Sequence, residues 1–359
     1  MFQDISIEKL NELRGKNEIT VIDVRSPSEY AESTIPGSIN IPFFTDEERA
    51  EIGTLYKQVS IQTAKERGLE IMSAKLPAFV KKFAEIQGNK AVFCWRGGMR
   101  SRTTATVLSL MGIHVYRLDG GYRAYRRWVV ETLGTMEFPP EVYVLHGYTG
   151  TGKTEILRTL KDKGYPVVDL EGLAGHRGSI FGEIGLRSHN QKTFDALLLE
   201  ELLRYRHEPF ILIEAESKRI GKVILPEFLI DKKEKGTHIL LDAATDLRVR
   251  NIINDYRPTE HAEQSLQAFR QIKSRIHTPV AQEIETCLLS GNYERAVELL
   301  LAYYYDPRYA HTASSYGEEF QKLEPISFDT LEQAVPLVEE HIRKLSSRNR
   351  LNRQEQPGA

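Results

Sequence analysis

Cysteine is scarce in this chain. Cys94 and Cys287 are the only two among 359 residues, and they stand alone in different regions. Their isolation excludes a disulfide framework, a CxxC redox pair and a cysteine-based zinc set, and a lone reactive thiol suits a reducing cytosol. Long apolar runs are missing too. No window holds 18 apolar residues, and Met1-Phe2-Gln3-Asp4-Ile5 carries no basic segment followed by an apolar run. A cytoplasmic protein, neither secreted nor membrane-spanning, is expected. Nor is there an excess of either charge: 48 basic and 50 acidic residues give a net charge of −2, so any nucleic-acid binding has to come from a local basic face. Internal repeats are absent. The remaining make-up, 41% hydrophobic and 27% charged, is that of a soluble globular protein, and the length suffices for two domains.

The most informative stretch is Phe93-Cys94-Trp95-Arg96-Gly97-Gly98-Met99-Arg100-Ser101-Arg102. An apolar strand, Lys90 to Phe93, runs into the cysteine, and a helical pattern starts at about Arg100. Loop N–H groups and a helix N-terminus converge on the sulfur, while Arg96 and Arg100 add full charges; all of these favour a thiolate. The glycines let the backbone curl and leave room for a substituent on sulfur. The plain alternative is a buried core cysteine at a strand end.

Strands and helices alternate around this loop, which argues for α/β structure with a parallel sheet. Ser6 to Leu13 reads as a helix capped by Ser6, and Thr20 to Arg25 as a strand. A helix starts at Ser26-Pro27, Asp46–Gly68 and Leu69–Ile86 read as an inserted helical pair, and His114 to Leu118 is a strand. The following helix, about Tyr122 to Leu133, interleaves Arg117, Arg123, Arg126 and Arg127 with Tyr116, Tyr122, Tyr125 and Trp128. Two readings stand: a surface that grips RNA phosphates and stacks on bases, or a solvated helix face with Tyr125 and Trp128 turned inward.

Gly134 to Pro140 breaks the helical pattern and separates a first domain, 1–134, from a second, 141–345, with 135–140 as linker. There Val142 to Leu145 leads into Gly147-Tyr148-Thr149-Gly150-Thr151-Gly152-Lys153-Thr154, a full P-loop pattern. Gly147, Gly150 and Gly152 let N–H groups face phosphate oxygens, Lys153 supplies a charge, and the Thr154 hydroxyl can bind Mg²⁺. Pro166 to Glu171, Phe210 to Glu214 and His238 to Asp242 read as further strands of a P-loop kinase-like sheet. Ligands sit at the carboxyl ends of such strands, so Asp169, Glu171 and Glu214 are candidates for Mg²⁺ binding or general-base work, against the alternative that they are helix caps. No other metal set stands out. Arg248, Arg250 and Arg257 are candidate phosphate clamps. Gly172 to Gly182 reads as a functional loop over the P-loop or a flexible surface loop. Residues 260–305 are helical, with Cys287 in their core, and Tyr303-Tyr304-Tyr305-Asp306-Pro307-Arg308-Tyr309 reads first as packing, with the alternative that it stacks bases or prenyl carbons. A short strand, Ile326 to Phe328, precedes a helix to about Leu345. The tail from 346 to 359, with Arg348, Arg350 and Arg353 after Arg343 and Lys344, reads as disordered unless RNA orders it.

Three resemblances sharpen this. Val21-Ile22-Asp23-Val24-Arg25-Ser26-Pro27-Ser28-Glu29-Tyr30, followed by Ile35-Pro36-Gly37-Ser38-Ile39-Asn40-Ile41-Pro42, resembles the rhodanese sulfurtransferase pattern, and Cys94 sits where rhodaneses carry their persulfide. Arg100 lies six positions after Cys94, giving Cys-x5-Arg. That spacing resembles rhodanese-related phosphatases, which cradle a tetrahedral phosphate but place a His where this chain has Phe93. The Cys94 loop and Asp169-Leu170-Glu171-Gly172-Leu173-Ala174-Gly175-His176-Arg177-Gly178-Ser179, in a rhodanese-like domain fused to a P-loop domain, together resemble the tRNA 2-selenouridine synthase family over roughly residues 5 to 345.

The resemblance implies selenium transfer from selenophosphate to wobble 2-thiouridine in the tRNA anticodon region, and geranyl transfer from geranyl diphosphate to its sulfur. Cys94 attack on selenophosphate, giving a Cys–Se species and phosphate, fits the first loop. A diphosphate fits the second, with no need for ATP. Other classes remain: an ATP-dependent kinase or tRNA sulfurtransferase fed by a Cys94 persulfide, a Cys-x5-Arg phosphatase, and a redox-sensing nucleotide switch.

Overall fold

The structure, a computed structural model, describes residues 2–313 and 318–354. It divides into two compact units, Met1–Met136 with Asn190–Leu199, and Glu137–His189 with Glu200–Ala359.

The first unit is built on a parallel sheet in the order β1-β5-β4-β2-β3, with β1 Gln3–Ile5, β2 Ile19–Asp23, β3 Ile39–Asn40, β4 Asn89–Phe93 and β5 Tyr116–Leu118. Ile22, Val24, Val92 and Leu108 meet in its core, consistent with strands covered on both faces. The three-residue edge strand β1 was not legible, because so short a segment carries no alternation. Local signals fix the helix starts. The Ser6 hydroxyl accepts the Lys9 N–H at 3.3 Å, and Ser26 with Glu29 forms a capping box. The inserted pair is present as helices Asp46–Gln58 and Ile61–Ala84, so the break falls at Val59-Ser60 and not after Gly68. Ser60 caps the second helix by accepting from Thr63 N–H at 3.0 Å, and a Cβ on Gly68 would already be 3.5 Å from the Phe44 ring.

The second unit carries a parallel sheet in the order β11-β10-β6-β7: β6 Glu141–His146, β7 Phe210–Glu214, β10 Thr237–Ala243 and β11 Ile326–Phe328. A two-stranded hairpin, β8 Arg219–Ile220 and β9 Val223–Ile224, follows β7. Pro166 to Glu171 is not a full strand. Val167 makes one parallel bridge to Leu212, and the Asp169 carboxylate then caps the short helix Leu170–Ala174 by accepting Gly172 N–H at 2.6 Å. Helix Lys153–Asp162 packs Ile156, Leu157 and Leu160 on the sheet.

Helices Ala262–Ile272, Thr278–Ser290 and Tyr293–Leu300 enclose a separate apolar core that contains Cys287, as expected. A π-helical turn, Leu301–Tyr305, leads into helix Asp306–Ala313. The last helix, Leu331–Gln354, runs past Leu345, so the expected disordered tail is helical at first; residues 355–359 lie outside the described residues.

Candidate functional site

In the first unit, β4 delivers Cys94 to the carboxyl edge of the sheet, and the helix Met99–Leu110 starts five residues on with Gly98 as its N-cap. The thiol is 3% exposed and lies 3.2 Å from the Ser101 hydroxyl. The N–H groups of Trp95 through Arg100 donate to no protein acceptor among the described residues, so they remain available to an anion over the sulfur. The loop is held from below. Tyr122 N–H donates to the Cys94 carbonyl at 2.8 Å, and Arg123 N–H to that of Trp95 at 2.9 Å. Gly121 has φ +60°, and a Cβ there would lie 2.3 Å from the Cys94 carbonyl oxygen. That approach requires glycine.

The two candidate arginines differ. Arg96 is exposed, whereas Arg100 is paired with Glu29, one nitrogen 3.1 Å from Oε1. Burial opposes the Glu29 charge, but the Arg100 hydrogen bond and charge outweigh it and hold the carboxyl below its usual range. An anion that recruits Arg100 therefore competes with Glu29.

The candidate RNA-binding arginines do not act together. Arg117 is buried, bound to the Asp4 carboxylate and to the Gly97 carbonyl, so it supports the cysteine loop and is withdrawn from any RNA surface. Arg126 pairs with Asp195 at 2.6 Å. Arg123 and Arg127 are exposed, Tyr122 and Tyr125 are buried, and Trp128 is half-buried, so the aromatic half of the segment is mostly packing.

In the second unit the P-loop borders a cavity of about 750 Å³ lined by Gly150, Gly152, Lys153, Thr154, Glu171 and Glu216, among others. Gly147, with a Cβ position 3.0 Å from the Leu241 carbonyl, starts the loop. Thr149, Gly150, Gly152, Lys153 and Thr154 donate their N–H groups to no protein acceptor among the described residues. Lys153 Nζ donates to the Gly147 carbonyl at 2.8 Å, curling over its own loop. Burial lowers the Lys153 pKa, with Glu171, Glu216 and Glu214 acting in the opposite sense.

Of the three candidate carboxylates, only Glu171 reaches the cavity. Its Oε2 accepts the Thr154 hydroxyl at 2.9 Å, and burial followed by the charge of Glu216 pushes it up to about 8. Asp169 is the helix cap already described, and Glu214 is buried against Leu170 N–H at 3.1 Å. Among the described residues no three His, Cys, Asp or Glu side chains form a metal cluster. Thr154 and Glu171 do fit a Mg²⁺ carried in on phosphate oxygens, because that ion typically takes one or two carboxylates and keeps waters.

Arg248, Arg250 and Arg257, the candidate phosphate clamps, do not border the cavity. Arg248 is buried, donating to the Thr149 carbonyl at 2.9 Å and to both Asp306 oxygens at 3.0 and 2.6 Å; it braces the P-loop. Arg250 is exposed, and Arg257 lies 3.8 Å from Glu260. The arginines on the cavity wall are Arg158, Arg177 and Arg308. Gly172 lies inside the short helix, and it borders the cavity together with Gly175, Arg177, Gly178 and Ser179, so this stretch does lie over the P-loop. His176 is buried behind it and accepts Gly178 N–H at 3.1 Å.

Sequence reasoning gave no individual role to Glu29, Ser101 or Gly121, and it favoured packing for the stretch Tyr303 to Tyr309, of which Tyr304, Tyr305, Arg308 and Tyr309 border the cavity. The Gly120-Gly121 pair was the one local signal available. A second, apolar pocket was also illegible. It holds about 50 Å³, shares Thr149, Ile252, Tyr256 and Tyr305 with the large cavity, and continues between Phe181, Ile184, Val297 and Leu300.

Comparison with known proteins follows this division. The family model described as the tRNA 2-selenouridine synthase AAA domain matches residues 140–323, and that of the rhodanese-like domain matches residues 6–127. A tRNA 2-selenouridine synthase of Bdellovibrio bacteriovorus is 32% identical over 354 residues, covering 86% of this chain and 92% of that one. That of Nitrosomonas europaea is 33% identical over 309 residues, covering 83% and 79%. Among solved structures, the N-terminal domain of a putative ATP/GTP binding protein from Clostridium difficile 630 is 38% identical over 36% of this chain and 99% of that one, with a TM-score of 0.34. No helix among the described residues is long and apolar enough to cross a membrane.

Proposed function

The chain belongs to the tRNA 2-selenouridine synthase family, and from that premise we propose that it replaces the sulfur of wobble 2-thiouridine with selenium through an S-geranyl intermediate. The P-loop unit takes geranyl diphosphate. The thiouridine sulfur attacks C1 of the geranyl chain, the C1–O bond breaks, and the N–H groups of residues 149, 150 and 152–154 with the Lys153 side chain stabilise the departing diphosphate. Alkylation turns a poor leaving group into a thiol, which selenide then displaces from C2 of the base. Mg²⁺ held by Thr154 and Glu171 would add charge on the diphosphate.

The Cys94 unit supplies the selenide. Attack of the thiolate at phosphorus of selenophosphate forms an S–P bond and releases hydrogen selenide; water then cleaves S–P to give phosphate and the free thiol. This replaces the Cys–Se species expected from the sequence. Joining thiolate sulfur to selenide-level selenium must give up two electrons, whereas displacement at phosphorus is redox-neutral. The loop N–H groups and the six-position spacing to Arg100 support a tetrahedral phosphorus over the sulfur.

The apolar pocket that shares Thr149, Ile252, Tyr256 and Tyr305 with the P-loop cavity carries the reading, because it suits a hydrocarbon ester of diphosphate better than the ribose and base of ATP. Its 50 Å³ admits about four water-sized groups at about 10–15 Å³ each. At about 0.8 kcal/mol per buried CH₂, the end of the chain contributes about 3 kcal/mol. Geranyl diphosphate should therefore bind roughly 100-fold more tightly than inorganic diphosphate. Competition titration reads this directly, and equal affinities would remove the tail pocket. Geranyl transfer should proceed with ATP withheld and fall about 10²–10³-fold in Lys153→Ala, the loss expected for one oxyanion-stabilising group. A strict ATP requirement would instead favour the alternative of an ATP-dependent tRNA sulfurtransferase or kinase fed by a Cys94 persulfide.

A further inference from the structure

The P-loop accounts for only part of the 750 Å³ cavity. Another part of its wall is aromatic and comes from one continuous stretch, the π-helical turn Leu301–Tyr305 and the start of helix Asp306–Ala313. A π-helical turn holds an extra residue and re-aims the side chains that follow, and such turns concentrate at functional sites. Here it brings Tyr304, Tyr305, Arg308 and Tyr309 to the cavity.

The wall is tied to the P-loop. Tyr309 packs against Tyr148 of the loop, with ring centroids 4.5 Å apart and planes tilted by 45°. Arg248 lies 5.1 Å over the Tyr148 ring while bonding the Thr149 carbonyl on one side and Asp306 on the other. Arg308 lies 5.0 Å over the ring of Tyr304. Packing explains Tyr304, which is 7% exposed. It does not explain why the half-buried Tyr309 and the exposed Arg308 border a polar cavity.

We propose that this wall is a nucleobase subsite, where a pyrimidine drawn out of the RNA stack lies against Tyr309 beside the Arg308 guanidinium. This rests on the function proposed above, since alkylating the sulfur of a base requires the base and the diphosphate ester in one cavity. The volume suits it: cavities of about 300–1,000 Å³ enclose ligands the size of a nucleoside, well beyond a diphosphate alone. Aromatic and guanidinium faces are the usual partners of unstacked bases, and enzymes that act on a base take it out of the stack.

The test is photocrosslinking of the full-length protein to an RNA stem–loop with 5-iodouridine at the target position, in the presence of inorganic diphosphate. The crosslink should map to the peptide containing Tyr303 to Tyr309. A crosslink confined to the segment Tyr122 to Trp128, or none, overturns the proposal. In kinetics, Tyr309→Ala should raise the KM for 2-thiouridine RNA about 5- to 150-fold, the effect of removing one base–aromatic stack, and leave the KM for geranyl diphosphate unchanged. Tyr309→Phe should retain the wild-type value. An unchanged RNA KM in Tyr309→Ala overturns the subsite while leaving geranyl transfer standing. A wild-type protein that crosslinks as expected but never geranylates RNA would overturn the chemistry and leave the subsite standing.

Discussion

At the scale of single residues, a charge in the sequence does not say where it is spent. Arg117, Arg123, Arg126 and Arg127 read as one basic cluster, yet Arg117 is bound to Asp4 and Gly97, and Arg126 to Asp195. Only Arg123 and Arg127 are left for phosphates. Reversing both to Glu should flatten the logarithmic salt dependence of RNA binding by about 1.4, at about 0.7 per single-strand contact. Arg117→Ala should leave that slope unchanged and lower stability by about 1–3 kcal/mol, because the Gly97 carbonyl loses its partner. Filter binding and denaturant titration separate the two effects.

His146, just before the P-loop, gives a pH prediction. It donates to or accepts from His238 at 2.8 Å, and burial, then the charge on His238, lowers its pKa from 6.5 to about 3. Between these values the unfolded chain binds a proton that the native state does not. His146 therefore makes the protein less stable as pH falls from 6.5 toward 3. The stability difference between the protein and His146→Gln should shift in favour of the protein as pH rises from 3 to 6.5, then stay level.

At the scale of elements, one helix holds two glycines with opposite roles. Gly121→Ala meets both φ +60° and the backbone of the cysteine loop, and should lower stability by about 2 kcal/mol or more. Gly134, in the same helix, has nothing within 4 Å of a Cβ, and Gly134→Ala should stabilise by about 0.4–1 kcal/mol. Thermal unfolding of the two variants checks the pair.

The elements also show what the sequence can carry. Phe210–Glu214 was legible to the residue because it is a bounded apolar run, and Ile326–Phe328 because two apolar residues flank Ser327 between Pro325 and Asp329. Pro166 to Glu171 looked the same but forms one bridge, because the Asp169 side chain competes for the backbone and starts a helix. The two loops were legible because glycine spacing is itself the geometry. The aromatic stretch was visible, but which of its side chains reach the cavity was not, because a helical period is blind to the extra residue of a π-helical turn. The pairing of Glu29 with Arg100, 71 positions away, has no local signal.

At the scale of the whole molecule, the chain joins two sheets that each present a loop of unpaired N–H groups, one beside a thiol and the other beside a lysine. On the proposed chemistry the first prepares selenide and the second prepares the leaving group at the base, so the losses from the two should be separable. The measurement that tests this most directly is nucleoside analysis of 2-thiouridine RNA after incubation of folded Cys94→Ser with geranyl diphosphate and then selenophosphate. The account predicts that S-geranyl-2-thiouridine accumulates and selenouridine is absent, because a serine hydroxyl is a far weaker nucleophile than a thiolate. Loss of the geranylated nucleoside as well would contradict the division between the two loops.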